Sequence, residues 1–320
     1  MRVVVSSCGS INGVTITKVL QAEGIEVVGL DANPNAVGFS MADYSETVFP
    51  VDHPDYIDLL KSILRRYDVK IIFPTYSREL PLFATKWNIW QRWGYKWMVS
   101  PLFAIKICDD KLLTATFLKE HEIRHPRIYR PSQAQDHLDK GGVIFAKLRH
   151  GSGSVRTKIL HNSLEVYNYT HFDTVPAEKP IFQEYILGTE YTVNMVSGYD
   201  GIVIGAVPVQ RMVIRGGLSV LCQSENQPEV EKVARDVAEH LGLVGASNVQ
   251  IIVTPSGEPV VIEINPRFAS GSLPTAIESG LNIPMIMLRI MTDEPVGDID
   301  IKYGIRVARY YGWEELNDIE

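Results

Sequence analysis

Three oxygen-bearing side chains, Gln250, Glu263 and Asn265, lie on two runs rich in β-branched residues, Val249-Gln-Ile-Ile-Val-Thr254 and Pro259-Val-Val-Ile-Glu-Ile-Asn265. Pro255-Ser-Gly-Glu258 between them is a four-residue turn signal, so the runs are expected to form a hairpin. If Thr254 pairs with Pro259, Gln250 lies directly opposite Glu263, and Asn265 follows two residues on along the same face. One carboxylate and two amide oxygens suit a hard cation that keeps several waters and draws its other ligands from a phosphate. That describes Mg²⁺, with Mn²⁺ able to replace it. Arg267, just beyond, is placed to neutralise the charge of a transferred phosphate. A hairpin face with a lone Glu and Asn often points to water. This register, however, sets Ile252 and Val261 on the same face, so the face is expected to be covered.

A second group surrounds Lys147, which ends the apolar run Val143-Ile-Phe-Ala-Lys147 and precedes His150-Gly-Ser-Gly-Ser154. Small residues, free amides and hydroxyls at Gly151, Ser152, Gly153 and Ser154 can fold over a polyphosphate, although the same composition also makes a flexible linker. No GxxxxGK[ST] occurs, so this is not a P-loop. Gln183-Glu-Tyr-Ile186, followed by Gly188 and Glu190, reads alone as an ordinary strand end. Arg211 and Arg215, in Gln210-Arg-Met-Val-Ile-Arg-Gly-Gly217, lie in sequence between these groups. One is suited to contact phosphate and the other to clamp a substrate carboxylate, and solvated arginines are the plainer alternative.

The elements that must position these groups follow from apolar spacing. Val3 to Ser6, a helix near Val14 to Glu23, Glu26 to Asp31, a helix around Tyr56 to Tyr67, and Lys70 to Pro74 alternate strand with helix, which specifies a parallel, doubly wound sheet. Helical spacing over Lys111 to Glu122 is ended by Pro126 and Pro131, and a domain boundary falls near there. Residues 124 to 190 read as a small α+β module. Val230, Val233, Ala234, Val237, Ala238 and Leu241 make one helical stripe, with Pro228 in its first turn and Gly242 past its end.

Composition narrows the class. A chain of 320 residues with 45% hydrophobic content is too long for one core, so two or three domains are expected. A net charge of −7 argues against a nucleic-acid partner, whose phosphates call for a basic face. Cys8, Cys108 and Cys222 are odd in number and scattered, which disfavours a disulfide framework or a structural zinc site. The N-terminal apolar run is too short for a signal-peptide core, and no stretch approaches the roughly 18 apolar residues of a membrane span. A cytoplasmic setting without membrane contact is the expectation.

Taken in order, Asp110-Lys111, Phe145-Ala-Lys147 with His150-Gly-Ser-Gly-Ser154, Gln183-Glu-Tyr-Ile-Leu-Gly-Thr-Glu190, Gly245-Ala-Ser-Asn-Val-Gln250 and Glu263-Ile-Asn-Pro-Arg267 resemble the ATP-grasp superfamily. The nearest likeness is to one synthetase half of the carbamoyl-phosphate synthase large subunit. The resemblance implies an α/β fold, α+β in its ATP-binding part, in a three-domain ATP-grasp architecture. Residues 1–108 would be a Rossmann-like domain preceding the ATP-grasp unit, 109–190 its small lid subdomain, and 191–320 its large subdomain with the metal site. It further implies that Lys111 and Lys147 hold ATP phosphates under the Gly151 to Ser154 loop. Backbone groups around Glu184, Tyr185 and Ile186 would read adenine, Glu190 would bind ribose, and Gln250, Glu263 and Asn265 would bind Mg²⁺. Arg267 would hold the γ-phosphate or an acyl phosphate. Because bicarbonate-activating relatives carry a further arginine or other charged residues where this chain has Phe268-Ala-Ser-Gly-Ser272, the expected activity is that of a stand-alone, ADP-forming carboxylate–amine ligase. Its partners would be a small carboxylic acid and an amine, and a homodimer is compatible with this reading. The alternatives are a bicarbonate-activating enzyme, a non-catalytic nucleotide sensor, and a dinucleotide-binding protein. The last rests on Cys8-Gly-Ser-Ile-Asn-Gly13 and Asp31, a fingerprint that lacks its third glycine.

Overall fold

The computed structural model describes residues 1–151, 155–173, 179–310, 312 and 314. The chain opens with β1 (Arg2–Val5), α1 (Ile11–Ala22), β2 (Glu26–Asp31), β3 (Tyr44–Thr47), α2 (Tyr56–Arg66), β4 (Ile71–Phe73) and α3 (Leu80–Gln91). The four strands form a parallel sheet ordered β3-β2-β1-β4. Val3, Val4 and Val5 are all fully buried, as expected of a parallel strand covered on both faces. Helix α1 starts at Ile11, three residues before the apolar spacing suggests, because the Ser10 Oγ caps it by accepting from the Gly13 amide at 3.0 Å.

Two helices, α4 (Leu102–Asp109) and α5 (Lys111–Glu120), lead into a small module of β5 (Ile128–Tyr129), α6 (Pro131–Asp139), β6 (Ile144–Leu148), β7 (Lys158–Leu160), α7 (Ser163–His171) and β8 (Pro180–Glu184). Its antiparallel sheet is ordered β5-β8-β6-β7. The remainder builds β9 (Thr189–Ser197), β10 (Val203–Arg215), β11 (Leu218–Ser224), α8 (Pro228–His240), β12 (Gly245–Val253), β13 (Pro259–Asn265), α9 (Leu273–Glu278), α10 (Ile283–Met291) and β14 (Arg306–Ala308). These strands make a six-stranded sheet ordered β13-β12-β9-β10-β11-β14. Helix α8 begins with Pro228 in its first turn and is followed by Gly242 at φ +59°, a left-handed position suited to glycine.

Four apolar clusters underlie these parts. One joins the N-terminal sheet to the six-stranded sheet, packing Val3, Val5, Ile16 and Leu20 with Val207, Val209, Leu273 and Met287. Another covers the other face of the N-terminal sheet with α2, α3 and Trp97. In a third, Phe117 and Leu118 of α5 join α8, Val249, Ile251, Val261 and Ile264, so α5 packs on the six-stranded sheet and not within the small module that follows it. The small module keeps its own core of Ala134, Leu138, Ile144, Ala146, Val166, Tyr169 and Phe182, among others.

The β12–β13 hairpin departs from the simple register in two ways that cancel. Its tip pairs Val253, not Thr254, with Pro259, and a β-bulge at Ile262 then restores Gln250 opposite Glu263 and Asn248 opposite Asn265. The bulge corrects one expectation. Val261 pairs with Ile251 and turns into the apolar cluster beneath the sheet, so it does not share the face of Glu263.

Candidate functional site

The site forms where the small module, α5 and the hairpin meet. At the start of α5, Asp110 caps the helix by accepting from the Leu112 amide at 2.9 Å, and it also accepts from Arg149 at 2.8 and 2.6 Å. Burial alone would raise its pKa, but the Arg149 and amide hydrogen bonds hold the Asp110 carboxyl below the usual range. This fixes Lys111, the first residue of the helix, whose ammonium donates to the Gly151 carbonyl at 2.8 Å. Lys111 thus touches the start of the glycine-serine loop. Ser152, Gly153 and Ser154 lie outside the described residues.

Lys147 sits near the end of β6 with 7% of its surface exposed, and its Nζ donates to the Ile262 carbonyl at 3.3 Å. The extra residue of the hairpin bulge therefore supplies the acceptor that holds this lysine. Burial pushes the Lys147 ammonium down to about 8, assisted by Lys111 and opposed by the Glu263 carboxylate. The same burial lowers Lys111 and Arg267, and Glu263 again opposes it in both. Glu263 thus acts on all three cations, and Asp109 and Asp110 act on Lys111 as well. Cations so placed suit a polyphosphate.

On the site face of the hairpin, the Asn265 Nδ2 donates to Glu263 at 3.0 Å and to the Asn248 Oδ1 at 3.3 Å. Its own Oδ1 accepts no hydrogen bond among the described residues. Asn248 in turn donates to the Arg267 carbonyl at 2.9 Å, and the Arg267 Nε donates to the Ser77 Oγ at 3.0 Å, tying the hairpin to the N-terminal domain. Among the described residues no group of three or more His, Cys, Asp and Glu side chains is poised for a metal. Glu263 with amide oxygens is the donor set present, and it fits a hard cation that arrives with phosphate oxygens as further ligands.

Gln250 faces Glu263 across the strands, yet its Oε1 accepts from Arg211 at 3.3 Å. Arg211 also ion-pairs with Glu190 and donates to the Ser219 Oγ at 2.6 Å and the Gly217 carbonyl at 2.7 Å. Glu190, Arg211 and Gln250 thus form one network beside the metal face. Arg215 is not drawn into it: two irregularities in the β10–β11 pairing separate the two arginines, and Arg215 is exposed near the hairpin turn.

Glu184 differs from the simple expectation for a base-reading residue. Its amide donates to the Arg127 carbonyl at 2.8 Å, and its carboxylate pairs with Arg124 at 3.1 Å. Tyr185 and Ile186 follow the end of β8, and among the described residues nothing occupies their amides. Gln183, on the same strand as Glu184, lines a groove with Lys111, His125, Val261 and Glu263.

Sequence reading missed several members. Asn248 lies in the same motif as Gln250 and, by strand alternation, on the same face, so the signal was there. Ser77 and Arg309 carried no such signal. The Arg309 guanidinium donates to the Ser270 carbonyl at 2.6 Å and the Gly271 carbonyl at 3.1 Å, which places a cation against the Phe268 to Ser272 stretch. The fingerprint residue Asp31 accepts from the Gly9 and Asn33 amides at 3.0 and 2.9 Å, so both its oxygens brace their own loops.

Comparison with known proteins bears on this geometry. A family model described as an ATP-grasp domain matches residues 108–271, and a PylC-like N-terminal domain model matches residues 3–97. The carbamoyl phosphate synthase large chain of Helicobacter pylori is 25% identical over 289 residues, covering 84% of this chain and 26% of the relative. That of Methanobrevibacter smithii is 24% identical over 299 residues, covering 87% and 28%. The chain thus spans about a quarter of the length of these curated relatives. The biotin carboxylase domain of Hydrogenobacter thermophilus 2-oxoglutarate carboxylase, solved with MgADP, ADP and bicarbonate, superposes with a TM-score of 0.74 at 16% identity, covering 95% of this chain and 73% of that one. N5-carboxyaminoimidazole ribonucleotide synthetase from Thermotoga maritima gives a TM-score of 0.66 at 18% identity, covering 95% and 78%. The two solved structures share the fold.

Proposed function

The chain belongs to the ATP-grasp family of carboxylate-activating ligases, and on that premise we propose that it phosphorylates a small-molecule carboxylate, an amino acid or related acid, and couples the product to an amine. ATP and Mg²⁺ are its cofactors. The grouping of Lys111, Lys147 and Arg267 around Glu263 is the observation that carries this reading.

A carboxylate is a poor electrophile until one of its oxygens becomes a leaving group. Transfer of the γ-phosphoryl group to that oxygen forms an acyl phosphate and ADP. Attack by an amine then forms the C–N bond, expels inorganic phosphate and releases a proton. Lys111 and Lys147 neutralise the polyphosphate, and Arg267 follows the transferred phosphoryl group, so catalysis is chiefly positioning and charge neutralisation. Glu263 and Asn265 would hold Mg²⁺, which would supply Lewis-acid charge to the phosphate. The Glu190–Arg211–Gln250 network orients the wall beside them.

A panel of amino acids and related carboxylates assayed for phosphate release is expected to give ADP that requires both Mg²⁺ and one cognate acid. Glu263→Ala should lower that rate on the order of 100-fold or more. ATP binding with silence across the panel would favour the nucleotide-sensor reading, and wild-type turnover in Glu263→Ala would remove the metal assignment. One observation favours a second acid: Arg309 stands against Ser270 and Gly271, where bicarbonate chemistry calls for a cation. Bicarbonate-dependent ADP formation, abolished in Arg309→Ala, would identify it.

A further inference from the structure

Two histidines outside the phosphate site meet at the far end of α5. His121 directly follows α5, His240 is the last residue of α8, and their ring centroids lie 4.8 Å apart. Rigid elements hold the pair. Phe117, one turn before His121, and Ala238 and Leu241, beside His240, belong to the apolar cluster that packs α5 against α8. Side chains placed by two packed helices keep their separation, as a preformed ligand site requires.

The hydrogen bonds decide which nitrogen each ring offers. His121 Nδ1 meets the Phe117 carbonyl at 2.9 Å, and His240 Nδ1 meets the Asp236 carbonyl at 2.6 Å. A carbonyl only accepts, so each Nδ1 carries a proton and each neutral ring keeps its lone pair on Nε2. Backbone carbonyls set the tautomer of metal-bound histidines in the same way. Both residues are exposed, and among the described residues neither Nε2 takes part in a hydrogen bond or ion pair.

The spacing is that of two imidazoles sharing one ion. A metal about 2.0–2.1 Å from each nitrogen stands roughly 3.2 Å from each ring centroid, and centroids 4.8 Å apart then subtend about 100° at the metal. That angle lies between the square-planar and tetrahedral arrangements taken by Cu²⁺, Ni²⁺ and Zn²⁺. Two helix C-termini also end here, and their partial negative charge favours a cation. In the same turns Glu120, Glu122, Asp236 and Glu239 outnumber Lys119. Among the described residues no third His, Cys, Asp or Glu completes the set, which leaves the remaining coordination positions to water. Nitrogen donors distinguish this place from the oxygen-bearing face of Glu263, which suits Mg²⁺.

We propose that His121 and His240 form a site for a divalent transition-metal ion, Ni²⁺, Cu²⁺ or Zn²⁺, that bridges the C-terminal ends of α5 and α8. Neither nucleotide nor the ligase reading enters into it. The test is calorimetric titration of the full chain, without a polyhistidine tag, with Ni²⁺ in an excess of Mg²⁺ that occupies oxygen-donor sites.

The tightest-bound equivalent of Ni²⁺ is expected to be displaced by Zn²⁺ and to be weakened at least about tenfold in His121→Asn and in His240→Asn alike, the low end of what even an outer-shell partner of a metal is worth. Both positions are exposed at helix ends, where Asn is tolerated, so the fold is not at stake. Electron paramagnetic resonance with one equivalent of Cu²⁺ gives a second readout: coupling to two imidazole nitrogens in the wild type and to one in either variant. Absence of Ni²⁺ binding, weakening in only one of the two variants, weakening in neither, or coupling to a single nitrogen in the wild type overturns the proposal.

Discussion

Lys147 shows most directly how single residues set the chemistry. Its pKa near 8 means that at pH 8 roughly half the molecules carry a neutral amine. A polyphosphate beside it favours the ammonium, so ATP binding must draw protons from solution. The sign is fixed by the direction of the shift. Below about pH 7 the lysine is already charged and uptake vanishes; near pH 8 it approaches half a proton. Calorimetry of ATP binding in buffers of differing ionisation enthalpy measures this directly. Uptake that is equally large at pH 6.5, or that survives in Lys147→Arg, would show that another group is responsible. The residues around Lys147 were partly legible beforehand. Glu263, Asn265 and Arg267 stand in one short motif, and the alternation of a strand puts the first two on one face. Arg309 and Ser77 were not legible, because nothing local in the sequence says that β14 and the loop after β4 fold back onto residues 267–271.

The hairpin bulge is the clearest case at the scale of elements. With Ile262 removed, Ile251–Val261 and Gln250–Glu263 would become consecutive pairs, so every side chain would keep its face. What disappears is the carbonyl to which Lys147 donates. Deleting Ile262 is therefore expected to preserve the far-UV circular dichroism spectrum and to weaken ATP binding ~10- to 100-fold, the worth of a hydrogen bond to a charged group. Unchanged affinity would mean that Lys147 needs no such anchor. A register drawn from the turn alone reached the right partner for Gln250 through two one-residue offsets that cancel, and it mislaid Val261 as a result. Elsewhere, strands β1, β2 and β4 were readable because parallel strands buried on both faces are continuous apolar runs. Strand β10 was not, since Pro208 interrupts its pattern and its end beyond Arg211 is exposed.

Across the whole molecule, the N-terminal sheet and the six-stranded sheet share the cluster of Val5, Leu20, Val207 and Met287 and are expected to unfold as one body. Four of the five tryptophans lie between residues 87 and 97, so their fluorescence reports the N-terminal domain. Its denaturation midpoint should coincide with that of the far-UV signal, and Leu20→Ala should move both together, by about 2–5 kcal/mol. Separate midpoints would mean that the shared cluster does not couple the two sheets. No helix among the described residues is long and apolar enough to cross a membrane.

The small module stands apart from that body. Its apolar core contains no residue of the other clusters, and named polar contacts at Asp110–Arg149, Arg124–Glu184 and Lys147–Ile262 bridge it to the rest. A part-exposed ion pair such as Arg124–Glu184 stabilises little, and among the described residues no apolar contact reinforces the bridge within the module's own core. Hydrogen exchange should therefore find β6 and β8 opening as an independent unit, at a free energy below that of global unfolding and raised when nucleotide spans the gap. In those terms the molecule has two melting clocks, and ATP winds only the faster one.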